Sequence, residues 1–419
     1  MNRYIQSIKI NRVRHLHDLE IVIPDESHPH LLITGKNGSG KTSLLNAISD
    51  HISVLQSQGD MIYLNYLEWI DNTKEELSHC TDPIKEAELR NNLTQYQQWY
   101  DNVFGQVKVV FEDPSQIVYQ SAERPFITAM YAADRIVRMT EPENPTKPSL
   151  RSKWKIGDNA SDQFLFFLSD LKIQEALARN EGQVSDADQI KHWFESFEHL
   201  LGEIFGDLHL KLIFDYKDYS FHIQSEGKSF KFTELSDGFA AVIDIVSDLI
   251  LKMSAISNRT MQLYDIPGIV LIDEVETHLH LSLQRQVMPL LTSVFPRIQF
   301  IVSTHSPFVL NSIPSATIYD LEHQEVLTDL SDYSYEALTE GYFAVSTRSS
   351  YLDQQMNRLK SLLESTHLNV AERFEIQELM SDFEKIPEGV SPKIVGEYEA
   401  LKVKWDEKIR EIVAHDPNL

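Results

Sequence analysis

The chain has 419 residues, of which 42% are hydrophobic, and a formal net charge of −25. This length and apolar content are enough for a large core in two or three lobes. The acidic balance disfavours a protein that coats nucleic acid, because affinity for phosphates comes from lysines and arginines. One cysteine, Cys80, excludes an internal disulfide and a cysteine-rich zinc site. We find no apolar run of membrane-spanning length and no signal-peptide core in Met1–Gln6, so we expect a cytoplasmic protein.

The N-terminal residues predict a β-hairpin. Residues 4–10 and 18–24 alternate between apolar and polar side chains, and residues 11–16 between them form a turn. The turn contains Arg14, which is either a solvated surface residue or a ligand for an anion.

The segment that follows predicts a phosphate-binding loop. Residues 35–42 fit G-x-x-x-x-G-K-[ST] and lie between the apolar run His30–Thr34 and a helical pattern. Glycines let the backbone N–H groups turn toward a phosphate, and the helix directs its positive N-terminal end at the same anion. We therefore expect a nucleoside triphosphate site with Lys41 on the β- and γ-phosphates and Thr42 on Mg²⁺. The predicted nucleotide-binding residues of this loop are Gly35, Asn37, Gly38, Ser39, Gly40, Lys41, Thr42 and Ser43.

Two stretches of helical composition, residues 61–103 and 161–206, interrupt the strands. Between them, residues 105–118 predict paired strands and residues 126–131 predict a core strand. Residues 140–148 are rich in proline and predict a surface loop.

A second strand ends in two carboxylates. Gly268–Ile272 is apolar throughout, as expected for a strand covered on both faces, and Asp273 and Glu274 follow it. Ligands of open α/β sheets bind at this end of the strands, so we expect Asp273 to hold Mg²⁺ through water and Glu274 to polarise the attacking water. The alternative is a solvated helix N-terminus.

Two shorter motifs flank this strand. Leu235–Phe239 precedes an apolar helix predicted from Ala240 to Leu251, and His305 follows the predicted strand Gln299–Thr304. Serine and aspartate before a helix are also ordinary N-caps, and a histidine after a strand can be purely structural. His278 and His280 with Glu276 could imitate a metal site, but histidines two residues apart do not share a helix face.

Together, these motifs resemble the heads of ABC-type ATPases of the Rad50, RecF and OLD kinds. The resemblance implies an α/β fold, with a mixed sheet around a P-loop core, an N-terminal antiparallel hairpin, a short inserted helical lobe and a helical C-terminal tail. We expect the head at residues 1–58, 105–160 and 206–335, the lobe at 61–104 and 161–205, and the tail at 336–419. Val275 and Leu281 stand where the family usually has proline.

The resemblance also implies roles for individual residues. Arg14 approaches the nucleotide, and His305 senses the γ-phosphate as the switch histidine. Ser236 and Gly238 belong to the signature segment, which reaches the nucleotide bound to the other protomer, so that two copies enclose ATP. Glu276, His278 and His280 are candidates for contacts across that interface.

Among these ATPases the chain resembles most the short subunits of bacterial anti-phage defence, PtuA of Septu and retron systems and AriA of PARIS. That implies ATP and Mg²⁺ as cofactors, a homodimer or larger oligomer, and a nuclease partner of HNH or TOPRIM type, since residues after 320 show neither nuclease pattern. A DNA-repair ATPase that binds DNA directly and a transporter ATPase remain alternatives. Two basic clusters, Arg3 to Arg14 and Lys147 to Lys155, are either solvated faces or parts of a nucleic-acid groove.

Overall fold

The computed structural model describes residues 4–24, 29–58, 60–118, 120, 124–135, 139–144, 146–151, 153–257, 265–327, 330, 338, 350–386 and 392–414. Arg3 of the first basic cluster lies outside the described residues. The chain divides into two compact units, residues 1–333 and residues 334–419. The predicted boundaries of head, lobe and tail stay a prediction.

The strands of the first unit are β1 (Ile5–Val13), β2 (Leu16–Val22), β3 (His30–Thr34), β4 (Val107–Phe111), β5 (Ile127–Tyr131), β6 (Lys211–Asp215), β7 (Ser220–Ser225), β8 (Lys228–Lys231), β9 (Gly268–Ile272), β10 (Ile298–Ser303), β11 (Ala316–Asp320) and β12 (Glu325–Leu327). Its helices are α1 (Lys41–Gln58), α2 (Asp60–His79), α3 (Pro83–Phe104), α4 (Ser115–Val118), α5 (Phe164–Asn180), α6 (Val184–Phe205), α7 (Asp237–Ser257), α8 (Leu281–Val294) and α9 (Pro307–Leu310), with 3₁₀ turns at Ser161–Gln163 and Phe232–Glu234.

The central sheet has the strand order β12-β11-β3-β10-β9-β5. Its neighbours pair in parallel except for β11 and β12, which pair antiparallel. Every residue of β3, β9, β10 and β11 is buried, which explains why these strands read as continuous apolar runs. Parallel pairing brings the carboxyl ends of β3, β10, β9 and β5 to one edge, which is where the motif residues follow.

A second, antiparallel sheet contains the predicted hairpin, in the order β2-β1-β4. A buried side chain of the central sheet fixes its position. The Oε1 atom of Gln299 in β10 accepts hydrogen bonds from the backbone N–H groups of Tyr4 at 2.9 Å and Ile5 at 2.7 Å. Its Nε2 donates to the carbonyl oxygens of Ile5 at 3.2 Å and Pro29 at 2.6 Å. This amide therefore satisfies all its hydrogen bonds while joining the hairpin to the strand beside the phosphate loop.

The inserted helices form two antiparallel pairs, and sheet β6-β7-β8 packs by its phenylalanines near the second pair. One expectation was wrong: residues 105–118 form the single strand β4 and then the helical turn α4, because the Asp113 carboxylate accepts from Ser115 N–H at 3.0 Å and starts a turn after Pro114. Helix α7 also begins at Asp237, three residues earlier than predicted. The mixed sheet, the N-terminal hairpin and the added helices confirm the predicted α/β fold class.

The second unit is helical where it is described. Its helices are α10 (Ser350–Glu364), α11 (Val370–Glu384), α12 (Pro392–Lys404) and α13 (Asp406–Ala414), and they share a small core around Leu359, Ile376 and Tyr398. In the described parts of both units, helices long and apolar enough to cross a membrane are absent.

Candidate functional site

Four chain segments meet in a cavity of about 220 Å³ at the carboxyl edge of the central sheet. The hairpin turn, the P-loop with the start of α1, and the residues that follow β9 and β10 each contribute. The residues that line the cavity are Arg14, Asn37, Gly38, Gly40, Lys41, Thr42, Ser43, Glu274 and His305. All of them are residues that the sequence predicts for the nucleotide site.

The P-loop adopts a conformation that depends on its glycines. Gly35, Gly38 and Gly40 have φ angles of 135°, 84° and 101°, a region that side chains rarely adopt. A Cβ atom on Gly40 would also approach the Leu16 side chain of the hairpin to 3.0 Å. The hairpin turn therefore packs directly on the loop, and this packing brings Arg14, itself at φ 54°, to the cavity.

Lys41 is the buried cation of the site, with 4% of its surface exposed. Its Nζ donates to the loop's own carbonyl oxygens, Gly35 at 2.8 Å and Lys36 at 3.2 Å. Burial lowers the pKa of the Lys41 ammonium, and the neighbouring carboxylates of Glu274 and Glu276 oppose that shift. The charge is thus held in place by groups that an incoming phosphate can replace.

The loop also carries an unused donor. Ser39 is 6% exposed, and its Oγ has no hydrogen-bond partner among the described residues. A buried hydroxyl without a partner costs free energy, of the order of 1–3 kcal/mol. A ligand oxygen bound in this loop would offer it an acceptor.

Asp273 lies 2% exposed at the end of β9, and a serine from the neighbouring strand holds it. Ser303 Oγ donates to Asp273 Oδ1 at 2.5 Å and accepts from the Glu274 N–H at 2.8 Å. The same hydroxyl therefore fixes the carboxylate of one acid and the backbone of the next.

Glu274 has a backbone φ of 44°, which turns its side chain from the strand direction into the cavity. This left-handed conformation costs a non-glycine residue about 1–2 kcal/mol, so surrounding contacts have to maintain it. Glu274 Oε1 lies 3.9 Å from His305 Nε2. Burial and then the Lys41 charge lower the pKa of His305, while Glu276 and Glu274 oppose the shift, so the imidazole is mainly neutral at pH 7.

The donor set of the site fits Mg²⁺. Thr42 offers a hydroxyl at the start of α1 and Asp273 a carboxylate at the end of β9, and both are the hard oxygen ligands that Mg²⁺ prefers. Mg²⁺ at nucleotide sites takes one or two protein ligands and completes its shell with water and phosphates. In the part of the chain that the structure describes, no group of three or more His, Cys, Asp or Glu side chains could hold a metal ion.

The three residues expected at the interface behave differently from one another. Glu276 turns inward and its Oε1 accepts from the His305 N–H at 2.5 Å, while its Oε2 is buried without a partner among the described residues. The ring of His280 accepts from Ser282 N–H at 3.4 Å and caps α8. His278 is exposed at φ 67°.

The signature segment lies apart from this cavity. Ser236 is exposed and is not among the described residues that line it. Gly238 is buried, and a Cβ there would come within 2.7 Å of the His278 carbonyl oxygen. The start of α7 therefore packs against the loop that follows Glu274, and only a glycine allows that approach.

Three residues that organise the site were not among those predicted from the sequence: Gln299, Ser303 and Arg135. The Arg135 guanidinium donates to the carbonyl oxygens of Asp273 at 3.2 Å and Val275 at 3.1 Å. Ser303 and Arg135 could have been suspected as polar residues at strand ends, but the strand order that brings them together is not readable from one sequence.

Members of the predicted basic clusters make surface ion pairs. Lys9 lies 3.4 Å from Glu20, and Arg151 lies 3.6 Å from Asp158. These pairs match the solvated-face interpretation of those residues.

A protein-family model described as "AAA domain, putative AbiEii toxin, Type IV TA system" matches residues 31–311, and one described as "AAA domain" matches residues 7–50. The SMC head domain from Thermotoga maritima has a TM-score of 0.35 at 12% identity, covering 76% of this chain and 94% of that chain. The Septu protein PtuA of Bacillus mycoides (strain KBAB4) is 23% identical over 405 residues, which are 92% of this chain and 51% of that protein.

A further relative is the "Retron Ec83 probable ATPase" of Escherichia coli, which is 35% identical over 101 residues, 24% of this chain and 19% of that protein. The chain thus spans about half the length of the Septu relative and about a fifth of the retron relative. The first family model covers more than half of the chain and includes the P-loop, residues 35–42, and the strands β9 and β10. The protein therefore belongs to this family of AAA-type ATPase domains.

Proposed function

We propose that the chain is the ATP-binding and hydrolysing subunit of an anti-phage defence complex, which dimerises around ATP and holds or gates a partner nuclease. The observation that supports it most is the cavity in which Arg14, Lys41, Glu274 and His305 meet, while the signature serine Ser236 lies exposed outside it. The similarity to proteins named Septu PtuA and retron ATPase supports the defence context.

In this proposal the P-loop binds the triphosphate. Lys41 exchanges its bonds to the Gly35 and Lys36 carbonyls for β- and γ-phosphate oxygens, and the Ser39 hydroxyl gains an acceptor. Arg14 contributes a further positive charge from the hairpin side. Thr42 and Asp273 would hold Mg²⁺, which when bound would neutralise part of the phosphate charge.

Glu274 then acts as the general base. It orients a water molecule in line with the γ-phosphoryl group and accepts its proton as the oxygen–phosphorus bond forms and the bond to ADP breaks. His305, 3.9 Å from the Glu274 carboxylate, donates a hydrogen bond to the transferring phosphoryl group. Burial lowers the pKa of this imidazole in the ligand-free chain, and a neutral imidazole still has one N–H group to donate.

The exposed signature segment gives the reason for a dimer. The N-terminus of α7 carries the positive end of the helix dipole beside Ser236, and Ser236 is not among the described residues that line the cavity of its own chain. A second copy that presents Ser236 and Gly238 to the γ-phosphate would complete the site. Hydrolysis then separates the copies and alters whatever is bound to them.

The test is the molar mass by light scattering of Glu274→Gln with and without ATP and Mg²⁺. This variant keeps the size of the side chain and one acceptor oxygen but lacks the base, so a nucleotide-dependent dimer should accumulate. Lys41→Ala, which loses the phosphate contact, is the control and should stay at its ATP-free mass. Co-expression with genes adjacent on the chromosome tests the partner.

A monomer that ignores ATP would contradict dimerisation around ATP. If the same protein instead shifted DNA in a gel with a strong dependence on salt, a DNA-repair ATPase would be the better assignment.

A further inference from the structure

A charged side chain behind the site holds the loop that carries both acids. Arg135 follows β5, which pairs in parallel with β9 so that Tyr131 is opposite Ile272. Both strands therefore end at the same edge, and the chain continues from β5 into Arg135 and from β9 into Asp273. The Asp273 N–H donates to the Tyr131 carbonyl at 2.8 Å, which continues the ladder one residue past the strands.

The guanidinium of Arg135 brackets Glu274. Nη1 donates to the carbonyl of Asp273 at 3.2 Å and Nη2 to that of Val275 at 3.1 Å, the residues on either side of Glu274. Nη1 also bonds the Ala132 carbonyl at 3.1 Å, which ties the loop to the chain after β5. A planar guanidinium can bridge two acceptors in this way, whereas the single ammonium of a lysine cannot reproduce the fork.

The bracketed residue is the strained one. Glu274 has φ 44°, and reverting to an extended backbone would redirect its carboxylate away from the cavity. On the opposite side, Ser303 Oγ accepts from the Glu274 N–H at 2.8 Å, and the Ser303 carbonyl accepts from Val275 N–H at 3.3 Å. The loop is thus held from the β5 side by Arg135 and from the β10 side by Ser303.

Carboxylates surround the Arg135 side chain. Arg135 is not one of the described residues that line the cavity. Burial lowers its pKa, and the carboxylates of Asp244 and Glu276 oppose that shift. Asp244 belongs to α7, where Ser161 Oγ donates to it at 2.5 Å and Asn159 Nδ2 at 3.2 Å. The guanidinium therefore lies between the loop that carries the catalytic acids and the helix that follows the signature segment.

We propose that Arg135 is a positioning residue for ATP hydrolysis, which together with Ser303 keeps Glu274 in its left-handed conformation and Asp273 in reach of the metal. The inference rests on the proposed function of the cavity. It predicts a selective defect, because the side-chain hydrogen bonds of Arg135 and Ser303 in the described residues go to Ala132 and to residues 273–275, and not to the P-loop that supplies most of the phosphate binding.

The first test compares Arg135→Ala with wild type in two assays. In EDTA, the affinity for a fluorescent ATP analogue should stay within about 2-fold of wild type. The increase in affinity for the analogue on adding Mg²⁺ should be smaller than in wild type. The kcat for hydrolysis should fall about 10- to 100-fold with KM little changed, as when groups that hydrogen-bond to metal ligands are removed. Added guanidinium ion should restore part of both, and Arg135→Lys should not.

Arg297→Ala is the matched control, since Arg297 also donates to a carbonyl, that of Asp265 at 3.1 Å, away from the cavity. It should keep wild-type kcat and Mg²⁺ response. Ser303→Ala provides a second approach if Arg135→Ala folds poorly. Since both residues hold one loop, the double variant should lose less than the product of the single losses.

Two outcomes would overturn the proposal. The first is that Arg135→Ala keeps the kcat and the Mg²⁺ response of wild type. The second is that its melting temperature falls, its affinity for the analogue in EDTA falls in proportion, and guanidinium ion restores neither. That result would mean that Arg135 has a purely structural role. Failure of wild type to bind the analogue in either condition would reject the proposed function itself. If the wild-type chain binds the analogue but hydrolyses ATP slowly without a partner, the effect of Mg²⁺ on affinity still tests the role of Arg135.

Discussion

The nucleotide-facing edge of the central sheet and the signature segment are built in opposite ways. At the edge, Lys41 is 4% exposed and Asp273 is 2% exposed, and each makes hydrogen bonds inside the chain. In the signature segment Ser236 and Asp237 are exposed, and the glycine at 238 is the buried member. A group that is fixed within its own chain can act alone, whereas an exposed serine at a helix start gains a role when another surface covers it.

The two regions nevertheless touch. At Gly238 the start of α7 packs on the carbonyl oxygen of His278. His278 lies four residues after the proposed base Glu274 in the chain. Movement of the signature helix is therefore expected to reach the catalytic loop through backbone contact. Substitutions made in one region at a time distinguish the contributions of the sheet edge and of the signature segment to ATP binding and hydrolysis.

The largest effect is expected from Lys41→Ala. The substitution removes the buried ammonium at the phosphate site, and we expect affinity for ATP to weaken by about 100-fold or more, because charge-assisted bonds to phosphate are lost. Isothermal titration of ATP measures it. Lys36→Ala is the control within the same loop: that side chain is 71% exposed and pairs with Glu322, so affinity should change little. Equal losses in both variants would mean that loop conformation, and not the ammonium, determines binding.

An intermediate effect is expected from Ser236→Arg, which alters the exposed region alone. ATP affinity of the isolated chain should stay within about 2-fold, while turnover should fall by about 10-fold or more because a long cation blocks the approach of a second copy. Steady-state hydrolysis at several protein concentrations checks this. Ser229→Arg on β8, also an exposed serine, serves as the control. Unchanged turnover in Ser236→Arg would contradict a site shared between two copies.

The same contrast separates what sequence could predict from what it could not. The P-loop and the acids after β9 are contiguous strings whose chemistry follows from residue type and spacing, and the structure brings them to one cavity with Arg14 and His305. Gln299, Ser303 and Arg135 act across strands that are far apart along the chain, and their partners depend on strand order. Likewise, residues 105–118 alternated like paired strands, but a local cap at Asp113 favoured a helical turn.

The smallest effect is expected at the buried residue His30 and concerns the dependence of stability on pH. His30 begins β3, the strand that leads into the P-loop, and burial lowers its pKa to about 4. Its Nδ1 accepts a hydrogen bond from Phe300 N–H at 3.2 Å, a bond that protonation of Nδ1 would remove. Between pH 6.5 and about 4 the unfolded chain binds a proton at this ring that the folded chain does not. The free energy of unfolding should therefore decrease as the pH is lowered through that window, by up to about 3 kcal/mol for this residue.

His30→Asn tests this assignment, because the amide oxygen of asparagine can accept from Phe300 N–H and does not titrate. We expect the variant to lose less stability than wild type between pH 7 and pH 5, measured by denaturant unfolding at both values. His51, whose pKa burial also lowers to about 4, keeps part of the acid sensitivity in the variant. His17→Asn, at an exposed position of β2, should follow wild type. The same pH response in His30→Asn and wild type would show that the folded chain takes up the proton at His30 as readily as the unfolded chain, and that the strand under the phosphate loop tolerates a charge.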